Sequence, residues 1–281
     1  MKLVLMGDLH YSAIDETIEG LYEARSTFYK TYLEKFLEID GDAHISLGDL
    51  TNYGLTLELE GVYDILNQRE RRFIHVLGNH DLYAQPRSNV LEITGQARYH
   101  SITTDEAVCV FLDTAKEMDY EDWGGWIDDE QLAWFEEVVK ESGTKPLFVF
   151  AHHPVYQTTK NSDLEKGSIH PSIDMWNILN QKQGQGFYFN GHTHHDSIVK
   201  QQNWTFVQLS AALDQHCFRI VELDQEEINI TAVEVTDEAM VNSALILHQH
   251  MNHFTHQPNA RGSESDRECR ASIVSVTGLE A

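Results

Sequence analysis

The sequence predicts an α/β protein, a sandwich of two mixed β-sheets flanked by helices. Strand and helix patterns alternate through the first half of the chain, the rhythm of βαβ units in a layered sheet. Short strands at close spacing fill the second half and point to hairpins in a second sheet facing the first. Five polar clusters each close a strand pattern: Gly7-Asp8-Leu9-His10, Gly48-Asp49, Gly78-Asn79-His80-Asp81, Ala151-His152-His153-Pro154 and Gly191-His192-Thr193-His194. In open α/β sheets ligands collect beyond the carboxyl ends of strands, so one fold is expected to gather all five.

Residues 2–6 are an apolar run that reads as a buried strand. Ile18, Leu21, Tyr22, Phe28, Tyr29, Tyr32, Leu33, Phe36 and Leu37 recur at helical spacing and predict a long amphipathic helix. A strand over 44–47, a helix over 55–68 and a strand over 73–77 come next, each strand stopping at a Gly that opens a cluster. Residues 107–112 and 147–151 are apolar strands separated by a helix over 128–141, marked by Leu132, Phe135, Val138 and Val139. Strands over 187–190, 197–200, 205–209, 218–223 and 228–235 complete the pattern. A weak helical pattern runs from 241 to 251, and the polar stretch 258–270 reads as irregular. The expected division is one domain over 1–240 and a C-terminal extension over 241–281, partly helical and then irregular.

Composition narrows the functional classes. Hydrophobic residues are 41% of 281 and aromatics 10%, ample for a large core. Mean hydropathy is −0.40, and no run approaches the ~18 apolar residues of a membrane-spanning helix. Residues 3–6 are too short a run for a signal-peptide core. A soluble, cytoplasmic protein with no membrane partner is expected, compatible with a homo-oligomer. Cys109, Cys217 and Cys269 show no paired spacing, and the first two sit in apolar stretches, so no disulfide framework is implied. Forty-five acidic against twenty basic residues give a net charge of −25, which repels polyanions and disfavours a long nucleic acid. Divalent ions would still create a local positive well for a small phosphate ester, the expected partner.

The clusters mix hard oxygen donors with imidazoles and contain no thiolate, the donor set that a pair of Mn, Fe or Zn ions accepts for hydrolysis rather than redox chemistry. Asp8 and His10 are two residues apart and point to the same side of an extended strand end, so they can grip one ion. Asp49 has two oxygens and is assigned the bridge between two ions, roughly 3.5–4 Å apart in binuclear hydrolases. Asn79 offers an amide oxygen to the second ion. The adjacent His80 then lies beside the phosphate, as candidate general acid or electrostatic partner for the leaving oxygen. His192 and His194 reach neighbouring ions. Consecutive residues of an extended segment face opposite ways, so only one of His152 and His153 should ligate. The tally puts Asp8, His10, Asp49 and His194 on one ion and Asp49, Asn79, one of His152/His153, and His192 on the other.

The ordered motifs GDxH, GD, GNHD, HHP and GHxH resemble the calcineurin-like metallophosphoesterase superfamily over residues 7–194, about two-thirds of the chain. The resemblance implies a four-layer αββα sandwich, a hydroxide bridging two metals as nucleophile, and in-line attack at phosphorus. It also implies that His152 is the ligand and His153 lies behind it or near substrate. Leu47-Gly48-Asp49-Leu50-Thr51, Gly125-Trp126-Ile127 with Gln131-Leu132-x-Trp134, and His152-His153-Pro154 are similar to the phosphodiesterase and purple-acid-phosphatase-like branch. That branch includes glycerophosphodiesterases and class III cyclic nucleotide phosphodiesterases, which makes a small diester the expected substrate. The chain departs from the pattern at Asn52, where many relatives carry Asp, and lacks the iron-binding tyrosine of true purple acid phosphatases.

The remaining polar residues carry weaker signals. Asp81 is expected to support its loop, and His195 and Asp196 extend the last motif without an assigned role. His248, His250, His253 and His256 read as a surface histidine cluster able to take up adventitious metal. Trp134 falls on an apolar helix face, whereas Trp123 and Trp126 sit in a Gly-containing loop where a substrate platform is possible. Phosphomonoesterase is the nearest alternative activity and nuclease the next. A metal-binding scaffold is the non-enzymatic alternative, against which stands a full set of ligand positions.

Overall fold

A computed structural model describes residues 1–224 and 227–273. The chain order is β1 (Lys2–Met6), α1 (Leu21–Glu38), β2 (Ala43–Ser46), α2 (Thr56–Leu66), β3 (Phe73–His75), α3 (Arg87–Thr94), β4 (His100–Thr103), β5 (Val108–Phe111), α4 (Asp129–Glu141), β6 (Leu147–Phe150), α5 (Met175–Leu179), β7 (Gly186–Asn190), β8 (Ser197–Gln201), β9 (Trp204–Gln208), β10 (Cys217–Leu223), β11 (Glu227–Glu234), α6 (Glu238–His250) and β12 (Cys269–Ser272). Two six-stranded sheets result, ordered β12-β11-β10-β1-β2-β3 and β4-β5-β6-β7-β9-β8. Both are mixed: β1, β2 and β3 run parallel while β10 opposes β1, and β5, β6, β7 and β9 run parallel while β4 and β8 oppose their neighbours.

Strand alternation produces the four layers. Along β1, Leu3 and Leu5 enter the core between the sheets, while Val4 and Met6 turn outward against α1, α2 and α6. Along β6, Phe148 and Phe150 face the inter-sheet core, and Leu147 and Val149 pack under α4 and α5. The inner layer is a run of stacked phenylalanines, with ring centroids 5.0 Å apart for Phe111–Phe150 and 5.1 Å for Phe150–Phe189. Burying each such ring stabilises the sandwich by about 1.5–3 kcal/mol.

The second half departs from the expected single second sheet. β7, β8 and β9 lie in it, but β10 and β11 cross back to the first sheet, where β10 flanks β1. The alternation on β10 explains this: Phe218 and Ile220 join the outer core against α1, and Val221 and Leu223 the inner one. Three elements, α3, β4 and α5, carry no clear sequence period because they are short or half-exposed. The helix near 241 starts at Glu238, capped by the Asp237 side chain on the Met240 N–H. The stretch 258–270 is more ordered than its polarity implies. It holds a 3₁₀ turn at Glu264–Asp266 and the start of β12, a half-exposed strand paired with β11.

The parallel strands β1, β2 and β3 of one sheet and β6 and β7 of the other all end at the same edge. All five clusters therefore emerge at the seam between the sheets, where the His152 Nδ1 lies 2.9 Å from the Leu47 carbonyl across it. No helix among the described residues is long and apolar enough to cross a membrane.

Candidate metal centre

The cluster loops are held in unusual backbone conformations. His10, Asp49, His192 and His194 have φ of +50°, +46°, +73° and +56°, a region costly for side chains other than Gly and concentrated at functional sites. Glycine opens two clusters for a steric reason. A Cβ at Gly78 would lie 2.1 Å from Asp49 Oδ1, and one at Gly191 would lie 1.9 Å from Asp8 Oδ1.

Two groups of donor atoms form. In the first, Asp8, His10, Asp49 and His194 each offer an atom within 4.8 Å of the others. His10 Nε2 is 3.0 Å from His194 Nε2, which is 3.2 Å from Asp8 Oδ2. In the second, His152 Nε2 lies 3.0 Å from Asn79 Oδ1, 3.2 Å from His192 Nδ1 and 3.3 Å from Asp49 Oδ2. Asp49 Oδ2 thus faces both groups, being 3.9 Å from His10 Nε2 as well. His153 also brings a ring nitrogen within 4.8 Å of His152 and His192, with Nδ1 bonded to Thr114 Oγ1 at 2.8 Å and Nε2 to the Trp123 carbonyl at 2.9 Å.

Burial and crowding set the charge states. Burial together with the neighbouring His80 pushes His10 well below its ordinary value, and burial next to His152 pushes His192 down to about 3. Burial opposes the charged form of His152, yet Asp49 raises it to about 9. Burial alone would raise the Asp49 carboxyl, but His152 and His80 hold it well below the carboxylate range. The donor set fits a pair of cations. Asp8 Oδ1 is buried without a hydrogen-bond partner among the described residues, imidazole nitrogens face one another, and carboxylate, amide and imidazole donors occur with no thiolate.

His80 stands apart from the donor groups. Its Nδ1 bonds the Asn52 carbonyl at 2.7 Å, and its Nε2 faces the cavity, 3.9 Å from Asp49 Oδ2. Asn52 in turn donates its side-chain amide to the Asn252 carbonyl at 2.8 Å. Asp81 is fully buried and binds the second and third clusters together, accepting from Thr51 N and Gly78 N at 2.8 and 2.9 Å and facing His75 Nε2 at 3.0 Å. Tyr83 carries no sequence signal of its own, yet its hydroxyl accepts the Asn79 side-chain amide at 2.6 Å and aims the amide oxygen at His152.

A cavity of about 470 Å³ opens over the centre, lined by Asp49, Asn79, His80, His192 and His194 with Tyr83, Tyr120, Trp123 and Phe254 among its walls. Trp123 is therefore at the site, with Lys166 Nζ 4.3 Å from its ring centroid. Trp126 instead packs beside His170, outside the cavity lining. Asp196 lies off the centre in a buried ion cluster with Arg219 and Arg267. The histidine tract divides: His253 lines the cavity, and His248 and His256 meet Asp214.

Fold and site together define a metallophosphoesterase, a hydrolase of phosphate esters. The chain belongs to the calcineurin-like phosphoesterase family, whose model matches residues 1–196. It is 23% identical over 222 residues to a glycerophosphodiester phosphodiesterase of Enterobacter lignolyticus, covering 76% of this chain and 78% of that one. It is 24% identical over 198 residues to a probable cyclic nucleotide phosphodiesterase of Rhodopseudomonas palustris, covering 69% and 72%. Among solved structures, a dimetal phosphatase from Danio rerio shares the fold with a TM-score of 0.69 at 15% identity, over 83% of this chain and 97% of that one.

Proposed function

We propose that the protein is a binuclear-metal phosphodiesterase acting on small phosphodiesters of the cyclic nucleotide or glycerophosphodiester type. In this reading Asp8, His10, Asp49 and His194 hold one ion, and Asp49, Asn79, His152 and His192 hold the other, with Asp49 shared. His152 Nε2 points among Asn79, His192 and Asp49, whereas both His153 nitrogens bond partners outside the donor groups, which favours His152 as the ligand. Bound Mn, Fe or Zn ions would supply Lewis-acid charge to the phosphate oxygens and a water of lowered pKa.

The chain's own residues do the rest. Asn52 fixes the ring of His80 through Nδ1, so Nε2 is the atom that passes a proton to the departing oxygen. Tyr83 holds Asn79, and the Asp81 network keeps the second and third loops in register. The relatives named as phosphodiesterases support the diester reading.

The observation that carries it is the cavity lining, which contains Glu165 and aromatic rings but no Lys or Arg among the described residues, the nearby Lys166 being held against Trp123 and the Glu121 carbonyl. A diester phosphate bears one negative charge and needs less cationic support than a monoester dianion, and the aromatic walls suit its second organic group. The −25 net charge further favours a small ester over a polynucleotide. Turnover of bis-p-nitrophenyl phosphate and p-nitrophenyl phosphate by the manganese-loaded protein tests the assignment. Faster cleavage of the diester is expected; faster monoester cleavage would make it a phosphomonoesterase, and nicking of plasmid DNA would make it a nuclease.

A further inference from the structure

Beyond the binuclear centre, Asp214, His248 and His256 offer one donor atom each within 4.8 Å of one another. Asp214 lies in the turn that follows β9, and its side chain is fully buried. Its Oδ1 accepts from His256 Nδ1 at 2.6 Å and from the Gln257 N–H at 3.2 Å. Its Oδ2 is buried with no hydrogen bond among the described residues and lies 3.8 Å from His194 Nδ1. His248, on the last turn of α6, likewise presents a buried Nε2 without a partner, 3.7 Å from Asp214 Oδ1. Asp214 Oδ1 and His248 Nε2 thus stand 3.7 Å apart with no hydrogen bond between them, a buried carboxylate oxygen and a buried imidazole nitrogen that a shared cation would satisfy.

We propose that Asp214, His248 and His256 form a third, mononuclear metal site that takes one divalent ion and fastens the 251–257 segment over the cavity. Two imidazoles and one carboxylate are a zinc donor set with a fourth position left for water. His256 is 44% exposed at its side chain, which gives an ion a route from solvent. His250 and His253 belong to the same sequence tract but not to the site, because His253 turns toward Tyr120.

The location gives the site a consequence. Phe254 is sandwiched between His194 and His248, with ring centroids 5.2 and 5.8 Å away and the His248 ring within 3° of parallel. The segment that an ion would tie to Asp214 also contributes His253, Phe254, Thr255 and Gln257 to the cavity wall. Occupancy therefore sets how firmly that wall is held against the catalytic loops, whatever ester the cavity takes.

The test counts zinc retained after desalting by the full-length protein, stripped with chelator and reloaded with zinc chloride. Wild type should keep three equivalents and His248→Ala/His256→Ala two. In an Asp8→Asn/Asp49→Asn background, which disables the binuclear centre, the counts should fall to one and none. His256→Gln alone, at an exposed position, should lose the same equivalent with an unchanged circular dichroism spectrum, and proteolysis within 251–257 should slow on adding zinc to wild type but not to this variant. Equal zinc content in wild type and His256→Gln would overturn the third site while leaving the binuclear assignment intact. Loss of two equivalents in the Asp8→Asn/Asp49→Asn background bears on the binuclear centre alone.

Discussion

The backbone N–H of His80 donates to Asp49 Oδ1 at 2.8 Å, so the carboxylate proposed to serve both ions also fixes the loop that carries the proposed acid. One oxygen of Asp49 is spent on positioning, and the other faces His152 at 3.3 Å. Replacing Asp49 by Asn keeps the shape and removes the charge. We expect Asp49→Asn to lose bound metal and turnover together, whereas His80→Ala should keep its metal.

For His80→Ala, loss of a general acid should lower kcat by about 10²–10⁴-fold. The loss should be larger for an alkyl diester than for a nitrophenyl one, since nitrophenolate departs without a proton. Steady-state rates across leaving groups measure this. An equal loss for all leaving groups would make His80 an electrostatic rather than a proton-donating residue.

Tyr83→Phe removes the hydroxyl that holds the Asn79 amide. Outer partners of ligands are typically worth about 10–100-fold in metal affinity, and a loss of that size is expected. Manganese titration of the stripped protein reports it, and an unchanged affinity would show that Asn79 needs no such support.

Gly191→Ala should be more damaging than its size implies, because its Cβ would fall 1.9 Å from Asp8 Oδ1. The carboxylate must shift or the loop must open. The expected result is a folded protein by circular dichroism with reduced metal content. Full metal content in Gly191→Ala would show that the loop absorbs the methyl.

The metal-free protein should be most stable near pH 6.5 and weaken in both directions. His192 titrates at about 3 when folded, against an ordinary 6.5, so the unfolded chain takes up its proton first as pH falls and stability drops through that window. His152 is raised to about 9, so its stabilising proton is fully present below 6.5 and is lost as pH climbs to 9. Urea midpoints of stripped protein across this range should trace a dome. Metal replaces the proton on these nitrogens, so the loaded protein should hold its midpoint above pH 6.5. A stripped protein whose midpoint does not change with pH would contradict the assigned charge states.

Much of this was legible before the fold. The order of clusters and the apolar runs of β1, β5 and β6 carry their meaning locally, because a buried parallel strand must be apolar on both faces and a ligand loop must follow it. The sheet that receives β10 and β11 was not legible, since both sheets offer an apolar face and only long-range pairing with β1 decides. At the site, spacing alone left His152 and His153 equivalent; Thr114 and Trp123, distant in sequence, occupy the second ring. Tyr83 and Asp214 make contacts that no motif encodes. The histidine tract looked uniform, yet one residue joins the cavity and two meet a buried carboxylate brought in from the turn after β9.

The most direct test is hydrolysis of bis-p-nitrophenyl phosphate by stripped wild type and stripped Asp49→Asn, each before and after manganese is returned. Wild type should be silent when stripped and recover on manganese, and Asp49→Asn should stay silent in both states. Equal turnover in all four samples would contradict a metal centre built around Asp49.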